Sequence, residues 1–295
     1  TGGDTMLRSK LMNLSAMLIF GTIAIFVRNI ELTSKEIAVL RGVIGSIFLL
    51  GVMLFSKEKT SFSAIKKNLP ILVLSGLGVG ANWIFLFEAY KYTTVSIATL
   101  SYYCAPIFVT IMAPIILKEK ISLIKFLCVC TAMIGMLCIV GTNKGSIGEG
   151  YNHFLGIIYG LTAAVGYASV ILMNKFIKGL KGVETTVTQL VFASILLLPY
   201  VMITSGFDFS KMTGISWGYM IFLGIVHTGF AYALYFSSLK ELKGQTIAVL
   251  SYIDPITAVL ISALFLGEQL TMFQIIGGVL ILGSTFISET QGKKE

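Results

Sequence analysis

The sequence predicts an all-α integral membrane protein in which ten transmembrane helices form two inverted five-helix repeats. Three observations lead to this prediction. Hydrophobic residues make up 56% of the 295-residue chain and charged residues 12%, proportions that exclude an ordinary soluble domain. Apolar runs of about 20 residues, long enough to cross a hydrocarbon core about 30 Å thick as helices, recur between short polar connectors. The second half of the chain also repeats the first.

The ten predicted spans follow one another along nearly the whole chain, and each ends at a polar connector. The five residues before Met6 resemble an expression scar, and no signal-peptide pattern follows them, so the first span is expected to remain in the mature protein. The first repeat then covers residues 6–146 and the second 147–295. The predicted spans are Leu11–Val27, Ile37–Phe55, Leu69–Tyr90, Val95–Leu117, Ile121–Val140, Phe154–Asn174, Thr185–Thr204, Trp217–Phe236, Thr246–Leu266 and Met272–Ser288.

The basic residues are distributed by membrane side. With the N-terminus inside, sixteen of the 22 Lys and Arg residues fall on that side and five on the other, while Arg41 lies within a span. This bias indicates cytoplasmic termini by the positive-inside rule, in a multi-pass protein of the plasma membrane. The net charge of +8 therefore indicates orientation in the bilayer rather than nucleic-acid binding.

The cysteines indicate neither a disulfide framework nor a metal site. All four lie in predicted spans, with no Cys-x-x-Cys pair and no nearby histidine: Cys104, Cys128, Cys130 and Cys138. We interpret them as packing residues, and we expect no metal and no cofactor.

The repeat is clearest in the fourth and ninth spans, where IATLSYYCAPI at 97–107 matches IAVLSYIDPI at 247–256. At a constant offset of 149 residues, Pro106 corresponds to Pro255 and Glu119 to Glu268. Because five spans are an odd number, the two repeats must cross the membrane in opposite senses. The lysines after the fourth span are replaced by uncharged residues after the ninth, as expected if these ends lie on opposite sides. Inverted repeats suit alternating access to a midplane site, although channels also contain them.

Several of these motifs together resemble the EamA family of the drug/metabolite transporter (DMT) superfamily. They are Arg41 in the second span, YKYTT at 90–94, the prolines of spans four and nine, and the LKEKIS and LGEQLT steps that close those spans. The resemblance covers essentially all of Met6–Ser288. It implies a secondary transporter, often an exporter of amino acids or other small metabolites, with a central cavity between the halves.

Ionisable groups inside spans are costly and mark candidate functional positions. Asp254 is the strongest candidate, because Pro255 removes a backbone hydrogen bond beside it and leaves carbonyls free one turn earlier. Such a carboxylate can bind a cation, a proton or a substrate amine, or bond to neighbouring backbone. His227 is a candidate for proton coupling or a hydrogen-bonding filler. Arg41 is expected to extend its head to the outer interface as a structural anchor, with a site counter-ion as the alternative.

Glu119 and Glu268 are interpreted as structural residues that brace the turns after their spans, with Ser122 and Thr271 capping the helices that follow. Pro106 and Pro255 are likewise structural. Mid-span side chains with polar groups or aromatic faces are candidates to bind substrate or to pack between helices. They are Asn82, Trp83, Tyr102, Tyr103, Tyr159, Tyr167, Tyr232 and Tyr252.

The sequence thus favours a transporter, not an enzyme, for a small amine-bearing or zwitterionic metabolite such as an amino acid, exported in exchange or with protons. A uniporter or channel, or an importer of quaternary amines, is the alternative. Activated sugars fit less well, because few basic residues are available for phosphate. No motif of a lipid-modifying enzyme is present. The expected partners are the substrate and the bilayer, without nucleic acid, in a monomer or weak homodimer.

Overall fold

The computed structural model describes residues 2–55, 61–118, 121–141, 152–239, 242 and 250–291. Over these residues the regular secondary structure is helical, without a β-strand. Seven helices there are long and apolar enough to cross a membrane, and three further apolar helices are shorter. Large apolar side chains such as Leu54 (80% exposed) and Ile203 (84% exposed) point away from the bundle, as lipid-facing residues do. The chain is a multi-pass α-helical membrane protein.

Eight helices lie in the part of the first half that the structure describes. They are α1 (Gly2–Gly21), α2 (Ile23–Arg28), α3 (Ser34–Phe55), α4 (Phe62–Lys67), α5 (Leu69–Tyr92), α6 (Val95–Tyr102), α7 (Ala105–Ile116) and α8 (Leu123–Gly141). Helix α1 begins before the predicted first span and includes four of the five residues that were interpreted as an expression scar.

The described residues of the second half include six α-helices and a π-helical segment, Leu223–Phe230, between the third and the fourth of them. The α-helices are α9 (His153–Asn174), α10 (Gly182–Thr204), α11 (Gly214–Phe222), α12 (Ala231–Leu239), α13 (Ile253–Phe265) and α14 (Met272–Gln291). The start of the ninth predicted span, at Thr246, and the predicted bracing residue Glu119 lie outside the described residues.

Two of the predicted spans are interrupted near their middle. The first breaks at Thr22, between α1 and α2, and the fourth breaks at Tyr103 and Cys104, between α6 and α7. In the ninth, a turn at Tyr252 precedes α13. Pro106 lies in the first turn of α7 and Pro255 in the first turn of α13, positions where a missing backbone N–H costs no helical hydrogen bond. The prolines therefore stand at the start of new helices rather than within continuous ones.

The helix ends form two opposite faces. The Glu268 face contains Arg28, Thr93 and Glu268. Arg28 donates to the carboxylate of Glu268 and to the carbonyl of Thr93, and Glu268 also accepts from the N–H of Val95. The lysine face contains the end of α4 and the connector between α9 and α10, where the side-chain amide of Asn68 donates to the carbonyl of Lys178 over 2.8 Å. The long helices α5 and α9 run from one face to the other.

Helices α3 and α10 pack against each other in opposite directions. At the start of α3, Glu36 accepts hydrogen bonds from the backbone of Thr33 and, at 3.0 Å, from the backbone N–H of Asp208, which follows α10. At the start of α10, Glu184 accepts from the backbone of Lys181 and, at 3.2 Å, from that of Ser61, which follows α3. Each carboxylate thus caps its own helix and fixes the end of the other.

Candidate functional site

A cavity of about 170 Å³ lies among the interrupted helices, and seven of the nine residues predicted to bind substrate line it. They are Asn82, Trp83, Tyr102, Tyr103, Tyr167, Tyr232 and Asp254. Two of the breaks contribute to the lining. Tyr103 lies at the break of the fourth span, and Asp254 lies in the first turn of α13, which follows the turn at Tyr252. The cavity is thus built where two half-helices meet, as in binding sites formed by broken transmembrane helices.

Asp254 lies in the first turn of α13, where free backbone N–H groups and the helix dipole favour a negative charge. The hydroxyl of Tyr103 donates to its Oδ2 atom over 2.6 Å. The carboxylate lines the cavity and is only partly buried. It therefore keeps acceptor capacity for a ligand that bears an ammonium group.

Arg41 is the second charged residue of the cavity. Its side chain does not reach the interface as expected: the residue is 3% exposed, and the guanidinium carbon lies 4.1 Å from the centroid of the Trp83 ring. The Nε–H donates to the hydroxyl of Thr228 over 2.7 Å. Among the described residues no acidic side chain pairs with Arg41, so its terminal nitrogens remain for a ligand.

The π-helical segment explains how Thr228 reaches Arg41. Thr228 donates its own hydroxyl hydrogen to the carbonyl of Leu223, five residues back, over 3.3 Å. The wider π turn and Gly45 on α3 let the two elements approach closely, since a Cβ atom at Gly45 would lie 2.4 Å from Thr228 Cγ2. The threonine side chain is consequently fixed beside the guanidinium.

The remaining lining residues form an aromatic and hydrogen-bonded wall. Tyr102 packs against Tyr167 with the ring centroids 5.7 Å apart, and Tyr232 packs against Phe20 at 5.4 Å. The side-chain amide of Asn82 donates to the carbonyl of Ala163 over 2.7 Å, which joins α5 to α9. Trp83 and Tyr232 both line the cavity, but one face of Trp83 is covered by Arg41.

Three predicted residues do not line this cavity. His227 is fully buried, and its Nε2 lies 2.8 Å from the hydroxyl of Thr22 at the break of the first span. Tyr159 packs against Tyr92 at 5.4 Å, and Tyr252 packs against Phe286 at 5.6 Å. Tyr159 lies two turns of α9, about 12 Å, before Tyr167, which places it nearer the Glu268 face.

Glu268 does not brace its own turn as predicted, but reaches across to α6. It accepts hydrogen bonds from the backbone N–H groups of Val95 at 2.8 Å and Ser96 at 3.2 Å. The predicted capping box between Thr271 and Gln274 is present and begins α14 without help from Glu268.

Sequence reasoning missed Arg28, Tyr90 and Thr99. Tyr90 and Thr99 line the cavity, and both lie inside motifs that had been noted, YKYTT and IATLSYY. Arg28 had no signal beyond its place at the end of the first span.

A second cavity of about 380 Å³ shares Val79, Tyr167 and Tyr232 with the first and extends to Leu180 and Gly182 at the lysine face. We call it the vestibule. None of the described residues that line it is charged, and the amide of Gln189 there donates to Asn174 over 2.6 Å. The vestibule therefore adjoins the central cavity on the side of the lysine face.

The family model described as the EamA-like transporter family matches this chain twice, over residues 8–141 and over residues 154–290. The chain belongs to the EamA-like transporter family. The predicted family is thereby confirmed, and the same model covers each half separately.

Several relatives of this EamA-like family member are named as uncharacterized transporters. The uncharacterized transporter YxxF of Bacillus subtilis (strain 168) is 29% identical over 280 residues, covering 94% of this chain and 89% of that protein. Protein PecM of Dickeya dadantii (strain 3937) is 24% identical over 232 residues, covering 75% and 76%. A protein of known crystal structure, 17% identical, matches with a TM-score of 0.65 over 97% of this chain and 98% of its own, which concerns the fold alone.

Proposed function

We propose that this protein is a secondary transporter that exports a small amine-bearing or zwitterionic metabolite, such as an amino acid, by alternating access. One observation carries the proposal. Arg41 and Asp254 line one small cavity, yet they bind Thr228 and Tyr103 rather than each other. Two separated opposite charges fit an ammonium and a carboxylate on one molecule, since a buried charge needs a partner.

The alternating-access part of the proposal is supported by the arrangement of the halves. We infer ten spans in two inverted repeats, with both termini and the lysine face on the cytoplasmic side of the membrane. In favour are the opposite directions of α3 and α10, with their reciprocal Glu36 and Glu184 caps, and the family model that matches each half. The midplane breaks lie between the halves, where rocking would move the site from one side to the other.

The test is counterflow in proteoliposomes. A thermal-shift screen of the purified protein against the proteinogenic amino acids and choline first selects a probe. We expect saturable counterflow of that probe and at least a tenfold loss in Asp254→Asn, because the neutral amide no longer compensates an ammonium. Asp208→Asn is the matched control, since Asp208 is an exposed acid of a connector. Equal counterflow in Asp254→Asn and the parent protein would contradict the role of Asp254.

A carrier of quaternary amines is the second candidate, because tyrosine rings and one carboxylate line the cavity. The Arg41 guanidinium opposes it by covering the Trp83 face that such a cation would use. Choline counterflow above that of every amino acid would favour this candidate. Unitary conductance in planar bilayers would instead favour a channel.

A further inference from the structure

We propose that Arg28 and Glu268 form the outer gate of this transporter, a latch between the two halves that must open before the cavity can face the Glu268 side. The inference rests on the proposed alternating access but concerns different residues. In this structure the Arg28–Glu268 ion pair is formed, and the vestibule shares three lining residues with the cavity on the side of the lysine face.

Glu268 belongs to the second half, and the described residues that bond to its carboxylate belong to the first. The carboxylate forms an ion pair with Arg28 at 3.0 Å and accepts from the N–H groups of Val95 and Ser96. The hydroxyl of Ser96 contacts the same carboxylate at 3.3 Å. One side chain thus connects the end of the ninth span to the end of the first and the start of the fourth.

Arg28 extends the connection to the third span. Its Nε donates to the carbonyl of Tyr90 over 3.2 Å, and its Nη2 donates to the carbonyl of Thr93 over 2.7 Å. Both Tyr90 and the nearby Thr99 line the central cavity. The latch therefore lies at the Glu268 face, bonded to a residue of the cavity lining.

The contacts suit a gate because they are both strong and reversible. The side chains of Glu268 and Arg28 are only 7% and 18% exposed, so each depends on the other and on backbone groups for compensation while the gate is closed. When the halves separate at this face, water can hydrate both charges, which makes the open state accessible.

The sequence provides the arginine of the latch at the Glu268 face but not at the equivalent position of the other half. The first spans of the two halves share Gly21 with Gly166 and Asn29 with Asn174, at an offset of 145 residues rather than 149. The counterpart of Arg28 is therefore Met173, which cannot form an ion pair. Two related halves therefore differ where an arginine would close the lysine face.

The latch is tested by labelling a cavity cysteine from outside. In a background with the four native cysteines replaced, Thr99→Cys introduces a reporter at the cavity wall. Membrane-impermeant maleimide is added to intact cells, and the labelling rate is measured. We expect Glu268→Gln to raise that rate at least fivefold and to lower the rate measured in inside-out vesicles, because the population shifts towards the outward-open state.

The matched control is Glu88→Gln. Glu88 pairs with Lys91 at 3.2 Å near the same face, but both residues lie on α5, so this ion pair does not join the halves. It should leave both labelling rates unchanged. Arg28→Gln serves as a second gate variant that keeps the Glu268 caps of α6, and should raise outside labelling by a smaller factor.

Unchanged outside labelling in both gate variants, with Thr99→Cys still reactive from inside, would overturn the latch. An equal increase in Glu88→Gln would do the same, since the effect would then be general loosening of this face. These outcomes do not depend on the counterflow assay. If Asp254→Asn loses counterflow while the gate variants leave the labelling rates unchanged, the latch is refuted and the proposed function is not.

Discussion

The guanidinium of Arg41 has protein partners at one face and at Nε. Trp83 covers a face of its guanidinium and Thr228 accepts from Nε, while no acceptor among the described residues binds the terminal nitrogens. A planar guanidinium can bind a carboxylate with two parallel hydrogen bonds, which a lysine ammonium cannot. The side chain is therefore prepared to recognise a carboxylate rather than to balance a charge of the protein.

We predict that Arg41→Lys weakens binding of a carboxylate-bearing probe about tenfold, which corresponds to about 1.4 kcal/mol. The stacking on Trp83 and the bond to Thr228 are lost, although the positive charge stays. Competition in counterflow measures the effect, with the decarboxylated amine of the same probe as comparison. Thr228→Ser, which keeps the hydroxyl, is the control. A parallel loss of affinity for the amine would mean that Arg41 does not contact the carboxylate.

The sequence led to most of the aromatic residues that line the cavity and to Asp254, because mid-span polar atoms need partners. The position of Arg41 was not, since distance from a helix end does not reveal whether a long side chain turns outward or onto a neighbouring ring. The positions of His227 and Tyr252 were also unpredictable. His227 lies in the π-helical segment and Tyr252 at the turn before α13, and both irregularities rotate the residues that follow. Sequence spacing assumes a regular helix there.

The helices themselves were largely predictable, because their apolar runs are continuous. The breaks were signalled only where proline follows, at Pro106 and Pro255. The break at Thr22 has no such signal and depends on packing: Gly21 touches α13 so closely that a Cβ atom would lie 2.6 Å from Thr257 Cβ and 2.7 Å from the carbonyl of Asp254. The contact between α1 and α13 therefore requires the absence of a side chain.

At this scale we predict that Gly21→Ala lowers stability by about 1–3 kcal/mol, because the added methyl overpacks the contact beneath Asp254. Thermal unfolding of the detergent-solubilised protein should show a lower midpoint. The matched control is Gly51→Ala on α3, where nothing lies within 4 Å of the added atom. That variant should be neutral or slightly stabilised by its better helix propensity. Equal midpoints for both variants would show that α1 and α13 can move apart freely.

The whole molecule consists of two halves that exchange caps and small-residue contacts. Gly80 of the first half accommodates Leu197 of the second, and Gly229 accommodates Phe48, the positions that the 149-residue offset pairs with each other. This reciprocity was expected from the repeated sequence. The cross-half position of Glu268 was not, because a single sequence does not show which helix starts near which carboxylate.

Impermeant labelling tests the inverted arrangement. We predict that a cysteine at Lys125 reacts only from the cytoplasm and one at Gln269 only from outside, because the ends of the fourth and ninth spans lie on opposite faces. Each is introduced singly into the cysteine-free background. Reaction of both from the same side would contradict the inverted repeat and, with it, the alternating-access proposal.

The stacking of Arg41 on Trp83 makes the cavity optically visible. The chain contains two tryptophans, and the other, Trp217, lies away from the cavity with 36% of its surface exposed. Replacing Trp217 by Phe leaves one indole whose emission depends on the guanidinium above it. A bound carboxylate that draws Arg41 away from the Trp83 ring would then change the tryptophan fluorescence, so that binding can be followed without an added dye.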